Sequence, residues 1–267
     1  MKKSAPFLLL ALLFVAAAWY SFIKEPEEVH ELPPPDIVPA MPVIEVQPEP
    51  ELEAQEEDIK GYIEPEPIIV PDPLLPLNES DPQFSQSLTE LVGADPLAEY
   101  LIKSQAISRL VATIDSLTSR QIPRQINPVK PADDKFIVDT EGESVVMSAQ
   151  NFARYDGYVA LLQNTDSDAL VAIYQRYSPL FQQAWEENGG EGPFNQRLAG
   201  VIDNLLETPD VPGPVYLTKP EAVYLFEDPA LESMTAGQKI LVRMGPANAS
   251  LVKEKLTDIR ATLNHNL

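Results

Sequence analysis

The sequence predicts a mainly α domain, with minor β in the form of a small antiparallel sheet. Three observations carry this. From Leu77 onward, apolar residues recur at spacings of three and four, the signature of amphipathic helices. Helix punctuation (Ser80-Asp81-Pro82, Asp95-Pro96, Gly189-Gly190, Gly245-Pro246) separates these stretches. Just two short runs, Lys135–Asp139 and Ala222–Phe226, read as strands.

In order, Ser80 is expected to cap a first helix with proline in its first turn, ending near Gly93, and Asp95-Pro96 starts the next. Ile107, Leu110, Val111, Ile114 and Leu117 form one helical stripe. Gln121–Pro131 is a proline-punctuated loop, and Glu141-Gly142-Glu143 turns the first strand back. Two helices follow, Arg154–Leu162 and Asp168–Trp185, with caps offered by Asn164-Thr165-Asp166. Asn195–Glu207 is another helix and Pro209–Pro220 another proline loop. Thr235–Met244 and Asn248–Leu263 close the chain as a helical pair split at Gly245-Pro246.

One phrase occurs twice: RLVATIDSL from Arg109 and RLAGVIDNL from Arg197 agree at five of nine positions, 88 residues apart. In both copies the shared Leu, Ile and Leu fall on one helical face. A proline loop ending in PVKP or LTKP, a strand and a helical hairpin follow each copy. The domain therefore reads as two degenerate copies of helix, loop, strand and helical hairpin, and a pseudo-twofold would pair the two strands antiparallel. The expected role of the repeat is packing, with Asp115 and Asp203 bonded to backbone or arginine donors.

The N-terminal part is different material. Met1–Ile23 places two lysines before the uncharged run Ser4–Ile23, twenty residues that would span about 30 Å as a helix. We expect a retained transmembrane anchor with a cytoplasmic N-terminus. The alternative is a cleaved signal peptide, with Ala16-Ala17-Ala18 as the cleavage site. Lys24–Pro76 holds 13 of the 27 prolines and 15 acidic against 2 basic side chains, a net of −13. Proline and like-charge repulsion make it a disordered, extended tether, with Pro67-Ile68-Ile69-Val70 as an alternative docking peptide. The globular domain runs from Leu77 to Leu267.

Charge and composition remove several function classes. A net charge of −22 argues against binding nucleic acid or anionic lipid. The absence of cysteine removes disulfides, thiolate nucleophiles and cysteine-ligated zinc. The two histidines, His30 and His265, lie in the acidic stretch and near the C-terminus, poor places for a metal ligand or catalytic base. No metal or cofactor is expected.

Five phrases together resemble landmarks of a bacterial family, domain of unknown function 3014. They are LNESDP (Leu77–Pro82), RLVATIDSL, RYDGYVALL (Arg154–Leu162), FNQRLAGVIDNLL (Phe194–Leu206) and GQKILVRMGPANA (Gly237–Ala249). The resemblance covers about Leu77 to Leu263 and implies no activity or catalytic residue. Its most distinctive parts, Arg154-Tyr155-Asp156 and the phrase opening at Arg243, are the candidate binding residues. The layout suggests an extracytoplasmic interaction or scaffold protein of the cell envelope, anchored in the inner membrane, with a periplasmic domain and an envelope protein as partner. The alternative is a cell-wall-binding module or a hydrolase using paired carboxylates.

Overall fold

The computed structural model describes residues 72–95, 104–128, 136–164, 166–220 and 223–265. The expected anchor, nearly all of the tether, His30, the helix start at Pro96 and the PVKP end of the first proline loop lie outside them. Among the described residues no helix is long and apolar enough to cross a membrane.

Helix α1 (Asp81–Val92) carries Pro82 in its first turn and buries Phe84, Leu88 and Leu91; Gly93, at φ 90°, ends it. The expected serine cap is corrected here. The Ser80 hydroxyl donates backward to the Leu77 carbonyl at 2.8 Å and makes no cap bond to α1. Asp81 does the capping, but for a later helix. Its carboxylate accepts the Gln105 and Ala106 N–H groups at 2.6 and 2.8 Å, where α2 (Ala106–Ser116) starts. The anticipated stripe of α2 is buried, from Ile107 through Leu117.

Strands β1 (Val138–Glu141) and β2 (Ser144–Met147) form the hairpin that Gly142 turns at φ 65°. A 3-10 turn, Ala149–Tyr155, then runs into α3 (Asp156–Gln163), so the expected helix start at Arg154 lies inside this tighter turn. The Asp166 carboxylate caps α4 (Ser167–Glu187) by accepting the N–H groups of Asp168 and Ala169 at 2.9 and 3.1 Å. After α5 (Phe194–Leu206) come β3 (Tyr216–Thr218), β4 (Leu225–Phe226), the single turn α6 (Pro229–Glu232) and α7 (Ala236–His265). Helix α7 is broken at Gly245, with φ 80° and ψ 161°, where the sequence predicts the split.

The four-stranded sheet has the order β1-β2-β3-β4, all antiparallel. This corrects the expected pairing of the two strand-like runs, which supply the opposite edges. The tight turn at Gly142 pairs β1 with its immediate neighbour, and β3 comes from within the second proline loop. The edges nevertheless converge at one point: the Phe136 and Tyr224 rings lie 6.0 Å apart. Val215, Leu217, Phe226, Met147 and Val242 of α7 make the small core beneath the sheet.

The main core joins α1, α2, α3, α4, α5 and α7. Phe84, Tyr177, Phe181, Tyr174 and Phe194 form an aromatic seam, with edge-on pairs at 5.0 Å (Phe84–Tyr177) and 5.2 Å (Tyr174–Phe181). Such pairs add about 1 kcal/mol each beyond area burial. Burial pushes the Tyr174 phenol above its ordinary value of 10.0, and the hydroxyl donates to Asn195 Oδ1. The raised folded value means stability is complete below pH 10 and lost as pH climbs beyond it, because the unfolded chain ionises first. Alkaline denaturation should therefore show Tyr174→Phe losing stability less steeply above pH 10 than wild type. Equal slopes would show that Tyr174 contributes nothing to the alkaline transition.

The repeated phrase is a packing unit. In its two copies Leu110, Ile114 and Leu117, and Leu198, Ile202 and Leu205, are all buried in the main core, where α2 packs against both α4 and α5. Its polar residues join the copies asymmetrically. Arg197 Nε donates to the Asp115 carboxylate at 2.7 Å, and Arg197 Nη2 to the Asp115 carbonyl at 2.8 Å and to Thr118 Oγ1. Asp203 pairs with Arg260 at 2.9 Å, while Arg109 donates to the Gln125 carbonyl. A double-mutant cycle of Asp115→Ala and Arg197→Ala should give a coupling of about 1 kcal/mol, since both side chains are partly exposed. No coupling would make the link between copies incidental.

Candidate functional site: the junction of α3 and α7

The four candidate residues come together where the start of α3 meets the break in α7. Tyr155 ends the 3-10 turn and is buried, whereas Asp156 opens α3 and is exposed. Arg154 is half-buried, with Nη1 donating a long 3.5 Å hydrogen bond to Asn151 Oδ1. Arg243, on the first half of α7, is 3% exposed. The Tyr155 phenol sits above its ordinary value because burial outweighs the opposing pull of the Arg154 and Arg243 guanidiniums. Burial likewise pulls Arg243 down to about 10, with Tyr155 and Glu232 favouring its charged form.

Around Arg243 the sheet and α6 complete a buried polar cluster. The guanidinium carbon stands 5.0 Å from the Phe226 ring centroid. Glu232 accepts the Phe226 N–H at 2.9 Å and ion-pairs with the buried Lys239. One carboxylate thus holds the edge strand, a helix turn and a cation of α7 in register.

On the other side of the break, Asn248 Nδ2 donates to Asp156 Oδ1 at 3.0 Å and to the Phe152 carbonyl at 3.1 Å. Gly245 lies against Phe152 so closely that a Cβ there would meet the ring at 2.6 Å. Asn151, fully buried, holds the turn by accepting the Ile137 N–H at 2.9 Å and donating to the Ser148 carbonyl at 2.8 Å. Arg154-Tyr155-Asp156 and Arg243–Asn248 therefore form a packed interlock, with Arg154 and Asp156 reaching its surface. The cavity beside Pro246, bounded by Thr208, Asp210 and Ala249, holds about 20 Å³, the size of one water. Among the described residues no cluster of three or more His, Asp or Glu is placed to hold a metal.

Sequence reasoning missed Asn151, Phe152, Glu232 and Lys239. They come from three separate segments, and nothing in their spacing signals that they converge. Asn248 lies inside a distinctive phrase, but no local pattern reveals Asp156 as its partner.

Residues 106–260 match the family described as Protein of unknown function (DUF3014). The chain belongs to that family. No curated protein and no solved structure matches it. Both halves of the interlock and the whole sheet fall within the DUF3014 span, as do both copies of the repeat. The LNESDP phrase and α1 fall outside it, so the match is shorter than the resemblance suggests. Yet Asp81 caps the first helix of the DUF3014 span, and Phe84 packs on Tyr177 within it. The folded unit is larger than the family match.

Proposed function

We propose that this DUF3014 chain is an interaction or scaffold module of the cell envelope, anchored in the inner membrane and displaying its folded domain in the periplasm. The observation that carries the reading is the segregation of charge along the chain. An uncharged run, Ser4–Ile23, comes after two lysines, and a 53-residue segment of net −13 separates it from the domain. An apolar span with basic residues ahead of it orients N-terminus inward. A proline-rich, self-repelling segment holds the attached domain away from the bilayer. The packed interlock adds support, because the distinctive motifs are engaged in holding elements together rather than lining a substrate-sized cleft.

The partner is an envelope protein. Protease added to cells with a permeabilised outer membrane should remove the domain while cytosolic markers survive; a protected domain overturns the topology. Cross-linking of the full chain in cells should then enrich an envelope protein over an unrelated periplasmic control. Release of fragments from purified cell wall, lost on Asp156→Asn, would replace this reading with the hydrolase alternative.

A further inference from the structure

Among the described residues, neither apolar cluster takes in the side chains on the second face of the sheet. Met147, Val215, Leu217 and Phe226 point into the small core, so by alternation Asp139, Val146, Tyr216 and Glu227 share the outer face. They lie in one row across all four strands: Asp139 is opposite Val146, Val146 opposite Tyr216, and the Glu227 N–H donates to the Tyr216 carbonyl at 2.9 Å. Tyr216 is 40% exposed, the one aromatic among the large apolar side chains that stand exposed on the described surface. Val146 beside it is recessed, at 5%. Asp139 and Glu227 are exposed at either end, as are Ser144 and Thr218 in the adjoining row. Across strands, Glu227 is about 5 Å and Asp139 about 10 Å from Tyr216. No basic residue occupies an outer-face position of the described strands; Lys219 lies over the Tyr224 ring instead, at 5.1 Å.

We infer that the Asp139–Val146–Tyr216–Glu227 row of the sheet is the docking surface for a basic protein segment, with a Lys or Arg side chain over the Tyr216 ring and its charge shared by the flanking carboxylates. This rests on the interaction-module reading and names its surface. Charge complementarity selects the occupant. The chain's own tether, at net −13, is repelled by the row. A second copy would set carboxylate against carboxylate. A cationic side chain gains from both the ring face and the carboxylates.

The test uses the full chain in detergent micelles and a fluorescein-labelled octapeptide of alternating lysine and valine, followed by anisotropy. Binding that weakens with salt is expected, with no binding of the glutamate–valine counterpart. Tyr216→Ser should weaken it about three- to ten-fold. Asp139→Asn with Glu227→Gln should weaken it about five-fold and flatten the salt dependence. Tyr216→Phe keeps the ring and should bind as wild type, which separates a lost contact from a lost fold. Glu186→Gln with Glu187→Gln, at the exposed C-terminal end of α4, should change binding less than two-fold. Failure of the lysine peptide to bind, indifference to Tyr216→Ser, or an equal loss in the α4 variant would overturn this surface. A partner still captured by cross-linking in cells would then leave the interaction-module reading standing without it.

Discussion

Replacing Gly245 by alanine should destabilise the folded domain by about 3 kcal/mol or more, one of the two largest single-residue effects expected in this chain. Two costs add. The backbone at φ 80° and ψ 161° lies in a region open almost solely to glycine, worth about 1–3 kcal/mol for any other residue. The new methyl would also press on Phe152 at 2.6 Å, and overpacking a closed site costs about 1–3 kcal/mol. Urea denaturation measures the sum. Adding Phe152→Ala removes the clash but not the backbone strain, so relative to Phe152→Ala alone the glycine change should cost less, though still more than 1 kcal/mol. A loss below 1 kcal/mol for Gly245→Ala in the wild-type background would mean the break in α7 is soft and the interlock does not fix it.

Arg243 carries the second large effect. Truncation to alanine removes its stack on Phe226 and empties the buried space that its stem fills, while the Glu232–Lys239 ion pair stays in place. Emptying the space of a long, fully buried side chain costs about 2–5 kcal/mol. Methionine, which fills the same stem without the charge, should cost much less. The reason is visible in Arg243 itself: burial pulls it down to about 10, so the fold penalises the guanidinium it holds. That penalty is relieved as pH rises above about 10, since the native chain then sheds the proton before the unfolded chain does. Arg243→Met carries no such penalty and should therefore lose ground to wild type as pH rises above about 10. Equal stability of the alanine and methionine variants would show that packing volume matters little here and that the cluster does not clamp the sheet to α7.

Both effects concern the same place, which bears on what the DUF3014 motifs are for. Arg243, just before the helix break, meets the sheet at Phe226, while Gly245 at the break and Asn248 beyond it meet Phe152 and Asp156. A rigid junction of this kind fixes how the sheet sits on the helical core. The outer face carrying Tyr216 is then presented as a fixed surface, which lowers the ordering cost of binding.

What the sequence by itself determined was local. The stripe in α2, the turn at Gly142, the Asp166 cap and the break at Gly245-Pro246 each depend on residues within a few positions of one another, and each is found where the pattern puts it. The grouping of Arg154, Tyr155, Asp156 and Arg243 was legible as a pair of distinctive phrases but not as a contact. Tertiary structure alone decided the long-range pairings: Asp81 capping a helix 25 residues on, Arg197 reaching Asp115 across 82, Asn248 meeting Asp156 across 92. It also decided the sheet order, turning two runs expected to pair into opposite edges. The physical reason is that helix periodicity and turn chemistry act through neighbouring dihedrals, whereas strand partners and buried polar clusters are chosen by which surfaces the packed helices bring within hydrogen-bonding reach.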